Sequence, residues 1–332
     1  MSQRNAGVDL FRLIAAFAVI FIHCIYSDKF PLLPLAGRWA VPFFFMVSGY
    51  FFQKSYSTHA KQAFLKTAQS VTILFVWANL FYLLFLGLTE GSVSSLATHF
   101  TLLVGAYFHL WFLTSLLVGY LVLWFCLTYL RQDVLPFLAV LSIILILGLN
   151  PYSFLLAMSP HPLYARLLLS IPFLCIGFLG AKYSLHRYVY TSTCWLLISF
   201  GFGLQLVEVW LLSGNQSSFR LVDFVVGTLF LSVGLFLLSL RLIVSPTCRL
   251  SYYGQRYSLP LYLYHPVVNY FLFKALVATM GIGLLYWLSP LLTAVLCLSL
   301  LLLLDKFTPG LFRILSGDFS RIAIVPSKSS SD

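Results

Sequence analysis

Ten apolar runs divide most of this sequence, at roughly 8–26, 39–53, 70–88, 107–130, 134–149, 164–181, 190–212, 220–243, 257–277 and 285–304. Several reach the roughly 20 residues that an α-helix needs to cross a bilayer. The second and fifth are short, and short runs suit re-entrant or shielded helices, so the expected count is nine to eleven spans, about ten. Composition agrees, because 61% of residues are hydrophobic and only 9% charged, with mean hydropathy +0.95. A soluble domain carries about 25% charged residues. The expectation is an all-α, polytopic membrane bundle. A single transmembrane domain would cover 1–315, and a short polar cytoplasmic tail 316–332. The expected location is a cell membrane, with the lipid bilayer as the first partner.

The net charge of +11 could suggest nucleic acid, but in a membrane chain it reads better as a topology signal. Ten crossings put both termini on one side. If that side is inside, fourteen of the twenty Lys and Arg fall inside, five outside, and Arg12 lies within the membrane. Such a bias favours N- and C-termini in the cytoplasm. The first run does not read as a secretory signal, since it contains Asp9 and Arg12 and no A-x-A-like site follows His23. The six cysteines form no C-x-x-C pair, so neither a disulfide frame nor a zinc site is expected.

The stretch VDLFRLIAAFAVIFIH (8–23) carries Asp9, Arg12 and His23 inside an apolar run. Eleven residues separate Arg12 from His23, three helical turns plus about 20°, so the two share a face. Asp9 lies one turn before Arg12 on that face. The axial distance from Arg12 to His23 is roughly 16 Å, about half of a hydrocarbon core. An ionisable stripe in a membrane helix costs about 2.5–3.5 kcal/mol per central charge and marks a wet or buried functional path. The plainer alternative is a helix-end ion pair and a packed histidine.

Three other stretches carry candidates. WAVPFFFMVSGYFF (39–52) places Ser48 beside Gly49, suited either to close packing or to a substrate-facing hydroxyl. FHLWFLTSLLVGY (108–120) puts His109 and Trp111 at an outer helix end, where Trp111 suits an aromatic belt and His109 is either structural or functional. LSYYGQRYSLPLYLYHP (250–266) places Ser258, Tyr262 and His265 on one face, with Arg256 at its cytoplasmic start. Pro266 leaves a backbone carbonyl free just there. Asn79, Gln205 and Glu208 are further membrane polar residues, and Asp223 suits an ion pair with Arg220. His59, His99, His161 and His186 fall between runs and are expected in solvent. Phosphate-loop, dinucleotide, H-E-x-x-H and G-x-S-x-G signatures are absent.

Arg12, ten residues and then His23 resembles the R-X10-H motif of the acyltransferase-3 family of bacterial membrane acyltransferases. VPFFFMVSGYFF is similar to that family's second helix, HLWFL to its mid-chain motif and GQRYSLPLYLYH to its late Ser…Tyr…His helix, in matching order. One departure stands out. Where many members have an Arg-x-x-Arg stretch, this chain has KQAFLKTAQSVTILF, with only Lys61 and Lys66. The extra extracellular hydrolase-like domain of some members is also absent from this sequence.

The resemblance implies transfer of an acyl group, commonly acetyl from acetyl-CoA, to a hydroxyl of a surface glycan or lipid-linked sugar. Under it His23 is the expected general base or acyl carrier. Arg12 binds the donor or an oxyanion, and Asp9 orients Arg12. Ser48, His109, Trp111, Ser258, Tyr262 and His265 are the expected substrate-binding residues, and His109 and His265 are second candidates for acid or orienting roles. Arg12, Lys61, Lys66 and Arg256 are the expected contacts to acyl-CoA. The chemistry calls for no metal, no nucleic acid is expected as partner, and a homo-oligomer is compatible with the sequence. The competing expectation is a glycan or small-metabolite exporter using the same polar path, although no repeat symmetry supports it. A structural or sensory subunit is the third.

Overall fold

The computed structural model describes residues 5–24, 32–90, 103–157, 160–213, 223–280 and 282–318. Helices in chain order are α1 (Ala6–Cys24), α2 (Leu32–Gly37), α3 (Ala40–Tyr56), α4 (Ala60–Glu90), α5 (Trp111–Tyr129), α6 (Val134–Leu149), α7 (Pro162–Leu168), α8 (Ser170–Lys182), α9 (Thr191–Ser213), α10 (Val226–Arg241), α11 (Arg249–Met280), α12 (Ile282–Phe307) and α13 (Pro309–Leu315). No strand occurs among the described residues. Seven helical stretches there are long and apolar enough to cross a membrane, and α6 and α10 are shorter apolar helices. The protein is an all-helical, multi-pass membrane protein.

Each apolar run corresponds to a helix, with displaced ends. The third run begins at 70, but α4 starts at Ala60, because the Lys61–Lys66 stretch continues the helix as a polar first turn and a half. The ninth begins at 257, but α11 starts at Arg249 and runs through Pro260 and Pro266. Hydropathy finds the part of a helix in lipid, whereas the helix extends past it into water. The sixth run holds two helices, α7 and α8, joined at Leu169.

Large apolar side chains on α4, α6, α9 and α12 face outward, among them Leu84, Ile144, Leu196 and Leu303. That surface suits lipid rather than water. Inside, helices approach through small residues. A Cβ on Gly49 would strike the carbonyl of Leu174, and one on Gly177 the carbonyl of Met46, so α3 and α8 touch backbone to backbone. Gly254 lets α11 rest on the carbonyl of Asp9 in α1. Ser251 Oγ donates to the Ala6 carbonyl at 2.6 Å. Farther along the same pair, the rings of His23 and His265 lie 5.5 Å apart. Low numbers thus meet low and high meet high, so α1 and α11 run parallel.

Buried polar side chains in α9 have structural roles. Glu208 accepts from the N–H groups of Val226 (3.0 Å) and Gly227 (2.6 Å) at the start of α10, and from the Tyr152 hydroxyl. It neutralises N–H groups that a helix start leaves unmet. Gln205 donates to the Leu35 carbonyl at 2.7 Å and accepts from Thr228 at 2.7 Å. Asn79 accepts from the Ala106 N–H at 2.7 Å.

Candidate functional site

The face of α1 carrying Asp9, Arg12 and His23 turns toward the bundle. Asp9 is buried, and Arg12 Nη1 reaches its Oδ1 at 3.3 Å. The Arg12 side chain remains 24% exposed because it lines a cavity of about 390 Å³. That size falls within the range of small-molecule sites, about 300–1,000 Å³. The cavity is enclosed by α1, α3, α4, α5 and α11. Its polar lining includes Arg12, Ser48, Ser258 and Tyr262, and its apolar lining includes Phe112 and Leu116. Ser258 is fully buried and its Oγ has no protein partner.

At one end of the cavity the rings of Phe112 and Tyr262 meet, 5.2 Å apart. Behind them three histidines gather. The His109 ring lies 5.4 Å from Tyr262 and 5.7 Å from His265, and His265 lies 5.5 Å from His23. They come from α1, the turn before α5, and α11, three places far apart in the sequence. His109 and His265 are buried, whereas His23 is half-buried beside Phe108 at 4.9 Å. Tyr262 donates its hydroxyl to the His109 carbonyl, tying α11 to α5.

Hydrogen bonds fix which nitrogen of each buried ring carries hydrogen. Proline has no N–H, so Pro266 cannot engage the carbonyl of Tyr262 four residues back. His265 Nδ1 takes that carbonyl at 2.7 Å and lies 3.2 Å from the Leu261 carbonyl. A carbonyl only accepts, so Nδ1 bears the hydrogen, and in the neutral ring that leaves Nε2 as a bare lone pair. His109 is the reverse, since its Nε2 donates to the Leu263 carbonyl at 3.1 Å and its Nδ1 is bare. Both bare nitrogens are buried without a protein partner. An unmet buried acceptor costs about 1–3 kcal/mol and asks for an explanation in function. Among the described residues, no group of three His, Cys, Asp or Glu is arranged to hold a metal ion.

The other expected site residues lie elsewhere. Arg256 is held by Asp305 through two bonds of 2.5 Å, and Tyr257 donates to the same carboxylate at 2.6 Å. Lys61 and Lys66 are exposed on α4 and do not line the cavity. Trp111 is buried with the Arg166 guanidinium 5.7 Å over its ring. Arg166 in turn holds Asp223 at 2.5 and 3.1 Å. Asp223 is thus engaged across the bundle, whereas the expected Arg220–Asp223 pair falls on Arg220, outside the described residues. His99, with Arg4, Lys29, Arg321 and Lys328 of the charge count and the tail from 319, also lies outside them.

The solvated reading holds for His59 but not for His186, which is half-buried with its Nδ1 unmet. His161 caps α7, accepting from the Leu163 N–H at 3.3 Å. Phe112, Tyr82 and Arg166 were not singled out in the sequence. Tyr82, on α4, donates to the Leu263 carbonyl at 2.6 Å and packs 5.1 Å from His109. Only its place in an apolar run with Asn79 hinted at an inward face.

Comparison with known proteins decides what kind of bundle this is. The family model described as "Acyltransferase domain" matches residues 5–304, nearly the whole chain. The chain belongs to the acyltransferase-3 family. The cavity and histidine cluster therefore belong to a multi-pass membrane protein of that family. Among curated proteins, this chain is 28% identical to "Serine/alanine racemase" of Enterococcus gallinarum over 297 residues, 80% of its own length but 41% of the relative's. It is 31% identical to an "Amino-acid racemase" of Enterococcus faecalis over 135 residues, 36% of its length and 19% of the relative's. It thus spans less than half of the curated relatives it matches. No solved structure matches it.

Proposed function

We propose that this acyltransferase moves an acyl group, commonly acetyl, from acyl-CoA to a hydroxyl of a cell-surface glycan or of its lipid-linked precursor. The observation that carries the reading is one arrangement: a small-molecule cavity holding Arg12 ends at Tyr262 and Phe112, and His23, His109 and His265 lie behind them. The donor arm occupies the cavity, where Arg12 meets donor anionic groups or the developing oxyanion. The acceptor reaches the cluster at His23, its half-buried member. His23 takes the hydroxyl proton as the acceptor oxygen bonds the thioester carbon. The C–S bond then breaks, and the proton passes to the departing thiolate, giving ester and free CoA. Ser258 and Ser48, which line the cavity with Arg12, hold polar groups of the donor.

The test uses purified protein in proteoliposomes with isotope-labelled acetyl-CoA and lipid-linked saccharides, followed by mass spectrometry of the saccharide. An acyl mass increment that needs the protein supports the reading. Intact saccharide and unconsumed donor across an acceptor panel would sink it.

One observation favours a second reading. The matched relatives are named "Serine/alanine racemase" and "Amino-acid racemase", after small solutes rather than glycans. The shared bundle would then carry a small amino acid across the bilayer along the same polar path. Protein-dependent flux of labelled serine without covalent change separates this from acyl transfer.

A further inference from the structure

We propose that His265 is a positioning residue for His23: its bare Nε2 accepts a hydrogen bond from the His23 ring N–H and so leaves the other His23 nitrogen free as the base. The proposal rests on the acyl-transfer reading only for its kinetic consequence, because the hydrogen bond can be read without any turnover.

A base on a rotatable ring works only if one nitrogen is held and the other is presented. The usual holder is a carboxylate. Here a neutral imidazole fills that place, and the backbone explains how it can. Pro266 withholds the N–H that would meet the Tyr262 carbonyl. That carbonyl instead fixes hydrogen on His265 Nδ1 at 2.7 Å, which makes Nε2 an obligate acceptor. Nε2 is buried with no protein partner, so it is an acceptor awaiting a donor.

Among the described residues a suitable donor is His23, whose ring stacks on that of His265 with centroids 5.5 Å apart and planes inclined by 17°, so that a turn of the His23 ring would bring an N–H to Nε2. His23 stands one residue before the end of α1 and is half-buried, so its ring has room to close on Nε2. His109 cannot substitute from its Nε2, which is committed to the Leu263 carbonyl.

Two substitutions at His265 separate the roles of its nitrogens. His265→Asn keeps an N–H near Nδ1 for the Tyr262 carbonyl and removes the acceptor. His265→Gln offers an amide oxygen near the Nε2 position. In full-length protein in nanodiscs, His265→Asn is expected to lower kcat about 100-fold with donor KM unchanged, and His265→Gln to recover much of the loss. A third variant, Pro266→Ala, restores the N–H to the Tyr262 carbonyl and should loosen His265 without touching its ring.

The reading independent of activity is the nitrogen spectrum of 15N-histidine-labelled protein. His265 should be the Nδ1–H tautomer. His23 should be a single tautomer in the native protein and in His265→Gln, and a mixture in His265→Asn. Equal kinetics for the Asn and Gln variants, or a His23 tautomer indifferent to both, would overturn the proposal. Absence of acyl transfer by native protein would overturn the proposed function instead, and the spectra would still decide the role of His265.

Discussion

Replacing His23 with alanine removes a small, half-buried ring at the end of α1, which should leave the bundle folded. If His23 takes the acceptor proton, turnover should fall by about 10²–10⁴-fold in a protein that still purifies as native. Steady-state transfer assays on matched amounts of protein check this, and near-native turnover would count against the base. Arg12 sits at the opposite end of the same α1 face and lines the cavity, so its role should appear in donor binding. Arg12→Lys keeps the charge but loses the planar fork. Donor KM should rise about tenfold with kcat little changed. Asp9 is buried beneath that guanidinium at 3.3 Å. Asp9→Ala should therefore lower yield or thermal stability by leaving the charge unmatched, and the Asp9→Ala, Arg12→Ala pair should restore part of it. The ionisable stripe of α1 was legible because turn arithmetic places residues 9, 12 and 23 on one face. What they face was not legible, since periodicity along one helix says nothing of its neighbours. Arg256 illustrates the limit: its partner Asp305 is 49 positions away and no local pattern joins them.

At the scale of elements, the parallel packing of α1 on α11 brings the two histidine-bearing helices together. Gly254 is the point of closest approach, and the atom that a Cβ would meet there is the Asp9 carbonyl, part of a helix backbone that cannot swing away. Gly254→Ala should force the helices apart, with a destabilisation of about 1–3 kcal/mol. Because His23 and His265 lie on these two helices, transfer should suffer more than thermal stability does. Differential scanning fluorimetry beside the transfer assay checks both, and a native-like transfer rate would show that this contact does not set the histidine spacing. The Ser…Tyr…His face of α11 was legible from its offsets of four and three, and so was the freed carbonyl before Pro266. The use made of that carbonyl, locking the ring of His265, was not. It depends on which rotamer the neighbours permit.

At the scale of the molecule, apolar runs located the helices well, because hydrocarbon selects for them directly. Helix ends were misplaced where polar turns continue a helix beyond the lipid, as at Ala60 and Arg249. Orientation relative to the cell is a separate question, and the fold bears on it. Helices α1 and α11 run parallel, so an odd number of crossings must lie between them. Among the described residues the long segments between are α3, α4, α5, α6, the α7–α8 pair, α9 and α10, which is seven. If all seven cross, the two short helices α6 and α10 included, the chain returns to its starting face, and α12 then brings its end to the face where α1 begins. Fourteen of twenty basic residues fall on that side in the sequence count, and on that bias we propose that it faces the cytoplasm. On the proposed function and this orientation, the cavity with Arg12 would open toward the donor's compartment, and His23 would lie roughly 16 Å deeper, toward the acceptor. The expected outcome is that a single cysteine placed near Gly317 reacts with a membrane-impermeant maleimide only after cells are opened, whereas one placed near Phe108 reacts in intact cells. Labelling of the Gly317 site in intact cells would reverse the orientation. Arg12 would then face the outside, and the cytoplasmic donor would have to enter from the histidine end.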